Sequence, residues 1–172
     1  TMMGKGTILE KLWVMIFRIP IVKNIWAQSY ETVLFDSVPW TKLKKPLSAC
    51  KIALVTTGGI LLKTEESFEL NDPHGDSSFR RIPHDVSAED LTISHKYYDH
   101  RDADCDPNLI LPFEVLRELQ TEGVIGASGP YHYSFMGHIK EPHLTKLIQQ
   151  SSVEVAKEIK QLQIDIALLV PA

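Results

Sequence analysis

Ile164-Asp165-Ile166-Ala167-Leu168-Leu169-Val170-Pro171-Ala172 is the stretch whose reading decides the fold. A continuous apolar run after a long helical segment reads as a fully buried, inner strand of a parallel sheet. The segment before it, Pro142 to Leu162, predicts a helix with Leu144, Leu147, Ile148, Val155, Ile159 and Leu162 on its buried face. Upstream, Val124-Ile-Gly-Ala-Ser-Gly129 reads as a short buried strand and its turn. Leu111 to Glu122 predicts a second helix, with Pro112 in its first turn and Gly123 as its stop signal. Lys51-Ile-Ala-Leu-Val-Thr-Thr57 is apolar and β-branched and is closed by Gly58-Gly59, which reads as a strand. Strand, helix, short strand, helix, strand predicts an α/β fold. Its sheet is mostly parallel with flanking helices, Rossmann-like and three-layered, and incomplete at the C-terminus.

Two regions stand apart from this pattern. Thr64 to Asp106 is long, polar and rich in Asp, His, Ser and Pro, with short strand candidates only at Ser78–Ile82 and Leu91–Ser94. A loop region of that length in a compact domain is functional or disordered, and its aromatics and paired turn signals favour order. At the other end, residues 1–42 read as an N-terminal helical segment, leaving 43–172 as the α/β domain. The apolar-rich stretch Ile8–Phe35 is interrupted by Lys11, Arg18, Pro20 and Lys23. It therefore falls short of the roughly 20 apolar residues a membrane span needs. It reads as two helices broken at Ile19-Pro20, packed on the domain or on a partner, with a surface-lying amphipathic anchor as the other option.

With 172 residues the chain is long enough for one domain with a real core. A net charge of −4 argues against a general nucleic-acid or membrane-surface binder. Cys50 and Cys105 are far apart and have no metal-type spacing, which points to a reducing cytoplasm.

Several groups can carry chemistry. The turn Thr56-Thr57-Gly58-Gly59 follows a buried strand, so free backbone N–H groups and hydroxyls there can hold an anion or a substrate carboxylate. It equally suits a turn that needs positive φ, and it has no dinucleotide or P-loop fingerprint. In Asp72–Pro83, Asp76 with Arg80 or Arg81 can form a charged clamp for a carboxylate, or can tie the loop to itself. Asp102-Ala-Asp-Cys-Asp106 fails as a calcium loop, because Pro107 and Phe113 stand where glycine and glutamate are required. Among the seven histidines, His95 and His100 are close in sequence, as are His132, His138 and His143, yet none has zinc-site spacing. In Tyr131-His-Tyr-Ser-Phe-Met-Gly137, His132 and Ser134 share one face of an extended segment. They can serve as an acid/base pair, or as ordinary satisfied loop residues.

Taken together, Lys51–Gly59, Asp76-Ser-Ser-Phe-Arg80, Ile93-Ser-His95 with Tyr98-Asp99, Glu122–Gly126 and Tyr131–Gly137 resemble the selenoprotein B family. That family comprises glycine, sarcosine, betaine and D-proline reductases, and the resemblance runs from about Lys44 onward. It implies an α/β oxidoreductase subunit that reductively cleaves a carbon–nitrogen bond of a small amino-acid-type substrate. In the family a selenolate or thiolate attacks the carbon bearing nitrogen, a neighbouring thiol resolves the adduct, and a dithiol reductant resupplies electrons. A partner subunit supplies a carbonyl, such as a pyruvoyl group. Thr56, Thr57 and Gly58 are then expected to shape the substrate site, Asp76 and Arg80 to organise or bind the substrate's polar end, and His132 with Ser134 to line the mouth. The redox motif is expected immediately after Ala172, as a selenocysteine or cysteine; an in-frame UGA codon there is the anticipated cause of the present end. The competing reading is a non-catalytic ligand- or partner-binding α/β domain related to these reductases.

Overall fold

A computed structural model of the chain describes residues 20–22 and 41–172. The chain divides into two compact units, Thr1–Lys42 and Leu43–Ala172. In the first, residues 20–22 are helical. The expected pair of N-terminal helices otherwise lies outside the described residues.

The second unit is built on a five-stranded sheet. Strand β1 (Lys51–Thr56) is central, and consecutive Ile52, Ala53 and Leu54 are buried because both of its faces are covered. On one side it pairs in parallel with β7 (Ile166–Val170), from Ile52↔Ile166 to Thr56↔Val170. Its other side is shared by two short parallel strands end to end. β5 (Ala127–Ser128) pairs with Lys51 and Ile52, and β6 (Tyr131–Phe135) pairs with Val55 and Thr56. Beyond β6, β3 (Phe79–Pro83) runs antiparallel in the register Arg80↔Ser134 and Ile82↔His132. A separate antiparallel pair, β2 (Ile60–Leu62) and β4 (Leu91–Ile93), sits in the long polar region, which is ordered. The sheet is thus mostly parallel and flanked by helices, as the sequence pattern predicts.

One face of the sheet carries Ile52, Leu54 and Ile82. They pack with Phe113 and Leu116 of helix α2 (Phe113–Thr121), which follows the short helix α1 (Arg101–Cys105). The other face carries Ala53, Tyr133 and Phe135 against Val155 of α4 (Ser152–Gln161). A one-turn helix α3 (His143–Lys146) leads into α4 through a π-helical turn, Leu147–Ser151. The predicted helix 142–162 is therefore three joined segments, and its apolar stripe is only partly covered, with Leu144 and Ile148 exposed.

Two expectations are corrected here. β7 is not buried: it pairs only with β1 among the described residues, and Leu168 and Leu169 are 47% and 70% exposed. A continuous apolar run cannot by itself report how many neighbours a strand has. The second correction concerns Tyr131–Phe135, which is a full strand of the sheet. The predicted strand at Val124–Gly129 is only the two residues of β5, because Gly129 and Pro130 separate it from β6.

Candidate functional site at the carboxyl edge of the sheet

The parallel strands β1, β6 and β7 end at one edge, where their following residues meet. After β1, the Thr57–Gly59 turn is held tightly. Thr57 N–H donates to the Val170 carbonyl at 3.3 Å, Gly58 N–H to Thr56 Oγ1 at 3.0 Å and Gly59 N–H to the Phe135 carbonyl at 2.9 Å. The expected free N–H groups are therefore absent from this turn, and it offers no backbone cradle for an anion. The positive-φ expectation holds at Gly59, with φ +68°; a Cβ there would lie 2.6 Å from the Ser94 carbonyl oxygen.

What the edge does offer is side-chain chemistry. Thr57 Oγ1 accepts the Ala172 N–H at 3.1 Å, which leaves its own O–H free to donate. Gly137, just past β6, abuts the Thr57 backbone so closely that a Cβ would sit 2.9 Å from the Thr57 carbonyl oxygen. Thr57 and Gly58 thus lie where the ends of three strands converge. Thr56 points into the core, fully buried, and its hydroxyl serves the turn.

His132 and Ser134 share a face of β6, as expected, but both are fully buried in the sheet interior. His132 has a structural task. Between β5 and β6 the ladder along β1 is interrupted, and Pro130 has no N–H to continue it. The imidazole fills the gap: Nδ1 accepts the Leu54 N–H at 3.2 Å. Its Nε2 therefore carries the hydrogen, and that atom is buried without an acceptor, as is Ser134 Oγ. Burial, then His84 and Arg117 nearby, push the His132 pKa down to about 4, so the ring is neutral.

Asp76 and Arg80 organise the long loop. Asp76 accepts N–H groups of Glu69 at 3.0 Å and Ser78 at 2.7 Å. Burial opposes ionisation of Asp76, but these two N–H donors outweigh it and hold the carboxyl below its ordinary range. The Arg80 guanidinium donates to the carbonyls of Glu66 at 2.9 Å and Phe79 at 3.1 Å, and lies 4.3 Å over the Phe68 ring. Both residues line an open groove with Glu65, Glu66 and Phe68. Their bonds run to backbone groups and, from Arg80, to the Ser78 hydroxyl at 3.0 Å, so the structure brings them together without forming the expected Asp–Arg clamp.

The composition of the edge was only half visible in the sequence. Segment 94–100 and His138 complete it. Ser94 N–H donates to the Gly59 carbonyl at 2.8 Å, and the Tyr98 hydroxyl donates to the Gly58 carbonyl at 2.9 Å. Burial and the charge of Asp104 push the Tyr98 phenol up to about 12, so it stays a donor. The His95 ring sits 4.6 Å from Tyr98, and Tyr97 stacks on His138 at 3.7 Å. The density of histidine and tyrosine at 95–100 was the available signal, but nothing in the spacing says which turn it would cover. Both cysteines lie elsewhere. Cys50 is buried just before β1, at the opposite edge, with Sγ 3.4 Å from the Pro46 carbonyl, and Cys105 is exposed on α1.

A mostly parallel α/β sheet with a hydroxyl, an imidazole and phenols gathered at its carboxyl edge defines an α/β protein, and that edge is where open α/β sheets carry their sites. Comparison with known proteins narrows this class. The chain belongs to the glycine/sarcosine/betaine reductase selenoprotein B family, whose model matches residues 20–172. It is 34% identical over 149 residues to the D-proline reductase subunit gamma of Acetoanaerobium sticklandii, covering 87% of this chain and 59% of that protein. It is 32% identical over 161 residues to the glycine reductase complex component B subunit gamma of Symbiobacterium thermophilum, covering 87% of this chain and 35% of that protein. The sarcosine reductase complex component B subunit beta of Peptoclostridium acidaminophilum is 35% identical over 130 residues, with 68% and 28% covered. The chain therefore spans between 28% and 59% of the length of these relatives. No solved structure matches it. No helix among the described residues is long and apolar enough to cross a membrane.

Proposed function

We propose that this chain forms the substrate-binding scaffold of a selenol- or thiol-dependent reductase that cleaves a carbon–nitrogen bond in an amino acid or its derivative. The substrate class is that of D-proline, glycine, sarcosine or betaine. Family membership supports the reaction class. The observation that carries the site is the hydrogen bond from Ala172 N–H to Thr57 Oγ1, which joins the end of β7 to the turn after β1.

The residues at this edge suit such a reaction. Thr57 supplies a hydroxyl donor, and the absence of a Cβ at Gly58 and Gly137 lets Ile110 and the Thr57 backbone pack closely around it. Tyr98 braces the turn through the Gly58 carbonyl. His132 keeps β1 and β6 in register behind the site, and Asp76 with Arg80 fixes the loop beside it. A selenol or thiol arriving at the end of β7 would supply the nucleophile, and a carbonyl group on a partner subunit would activate the substrate amine. Reduction of the carbon–nitrogen bond takes two electrons and two protons, which a dithiol supplies on becoming a disulfide.

The test is reconstitution with the partner subunits and a dithiol. Substrate and dithiol are expected to disappear in a one-to-one ratio with D-proline, glycine, sarcosine or betaine. No dithiol consumption with any of the four would refute the reductase reading and leave a non-catalytic binding domain.

A further inference from the structure

We propose that His95 is an additional substrate-contacting residue of this site, donating its Nε2–H to a carboxylate oxygen of the substrate. The inference rests on the reductase reading for the identity of the substrate, and on the following geometry for the role of the residue.

The tautomer is fixed by a backbone contact. Tyr97 N–H donates to His95 Nδ1 at 3.1 Å, which occupies that lone pair. The neutral ring must then carry its hydrogen on Nε2. That Nε2 is buried and has no acceptor, in a residue only 8% exposed. Leaving a donor unpaired inside a protein is costly, and native structures do so rarely. Such a donor beside a site is what a bound acceptor would complete.

The ring packs against the turn that follows β1. Its Cβ packs so close to Gly59 that a Cβ on that glycine would lie 3.2 Å away. Tyr98, whose hydroxyl holds the Gly58 carbonyl, is one ring neighbour; Tyr97 is the other, 6.1 Å away and stacked on His138. His138 follows Gly137, which abuts Thr57. His95 therefore belongs to the joint between the turns after β1 and β6.

The charge state suits the substrates. Burial, followed by the neighbouring His100 and His138, holds the His95 pKa down to about 4. The group is a neutral donor near neutral pH and does not repel an ammonium or quaternary amine nearby. Glycine, sarcosine, betaine and D-proline differ at nitrogen but share a carboxylate, which accepts such a bond. His132 has the same unpaired Nε2–H, but it lies inside the sheet beside Arg117. It therefore faces away from this edge.

The experiment compares the wild-type reductase complex with His95→Ala and His95→Gln, in which the amide N–H can replace the donor. Expected is a KM at least tenfold higher in His95→Ala with kcat changed less than threefold, and recovery of much of the KM in His95→Gln. Unchanged KM in a folded His95→Ala, or equal loss of kcat in both variants with KM unmoved, would overturn the proposal. If His95→Ala does not fold, His95→Gln is compared with His95→Leu. If the wild-type complex turns over no substrate, the reductase reading has failed. In that case binding of the same four carboxylates to the chain is measured by calorimetry. Binding weakened tenfold by His95→Ala sustains the donor role, and equal or absent binding in both proteins ends it.

Discussion

Acidification between pH 6.5 and 4.5 is expected to destabilise this protein through two histidines, His95 and His132. Both are buried and neutral, with pKa values pushed down from 6.5 to about 4 by burial. The unfolded chain binds a proton on each ring as pH falls through 6.5, whereas the folded chain does so only near 4. Unfolding thus takes up protons in this window, and stability must fall as pH falls. Each depressed pKa corresponds to about 3 kcal/mol in total at about 1.4 kcal/mol per unit. Two such groups give a maximal slope of about 2.7 kcal/mol per pH unit. Asp72 and Asp99, held near 2 by their hydrogen-bond partners, lose their contribution only below about pH 4 and do not overlap. Urea denaturation at half-unit steps reads the slope directly. His132→Leu, which keeps the volume and removes the titrating group, is expected to lower the slope by about half. It also orphans the Leu54 N–H, with a cost of about 1–3 kcal/mol near pH 7.5. A flat stability profile from pH 6.5 to 4.5 in the wild type would refute the burial argument. So would an unchanged slope in His132→Leu.

Three further outcomes follow from local geometry. Gly59→Ala puts a side chain at φ +68° and drives its Cβ to 2.6 Å from the Ser94 carbonyl, so a loss of at least about 1 kcal/mol is expected on melting. Tyr98→Phe removes the hydrogen bond to the Gly58 carbonyl and should cost about 1 kcal/mol; no loss in urea midpoint would show that the brace is idle. By contrast, Arg81→Ala should change stability by less than about 1 kcal/mol despite its bonds to Glu154 and Glu158, since the side chain is 43% exposed and screened by solvent. A loss above 2 kcal/mol would mean that the Arg81 stack on Phe79 matters more than its ion pairs.

Much of the sheet was legible because its strands are apolar and β-branched, and α2 because its turn signals, Pro112 and Gly123, bracket it. Tyr131–Phe135 was read only as an extended segment, since alternating aromatic and polar residues do not reveal that both faces are covered. The burial of His132 was illegible for a related reason. Its role depends on a break in a ladder 78 residues away in sequence, at Leu54. Thr57 and Gly58 were found because a turn after a buried strand sits at the functional edge of such sheets. His95 and Tyr98 reach that edge only through the pairing of β4 with β2, a register that no local pattern encodes. Asp76 and Arg80 were singled out for charge, yet their hydrogen bonds go mostly to backbone groups, which a sequence does not display.

The placement of β1 has a consequence for synthesis. Among the described residues the first strand in the chain is the central one, and its ladder to β7 joins residues 114 apart, as the Lys51–Asp165 contact shows. At roughly 5–20 residues per second, a ribosome leaves that edge of β1 unpaired for about 6–23 seconds. During that interval the β7-facing edge of β1 stays open, even after α2, β5 and β6 have been made. The nascent chain is therefore a natural client for a holdase, and slow translation across 57–165 lengthens its exposure.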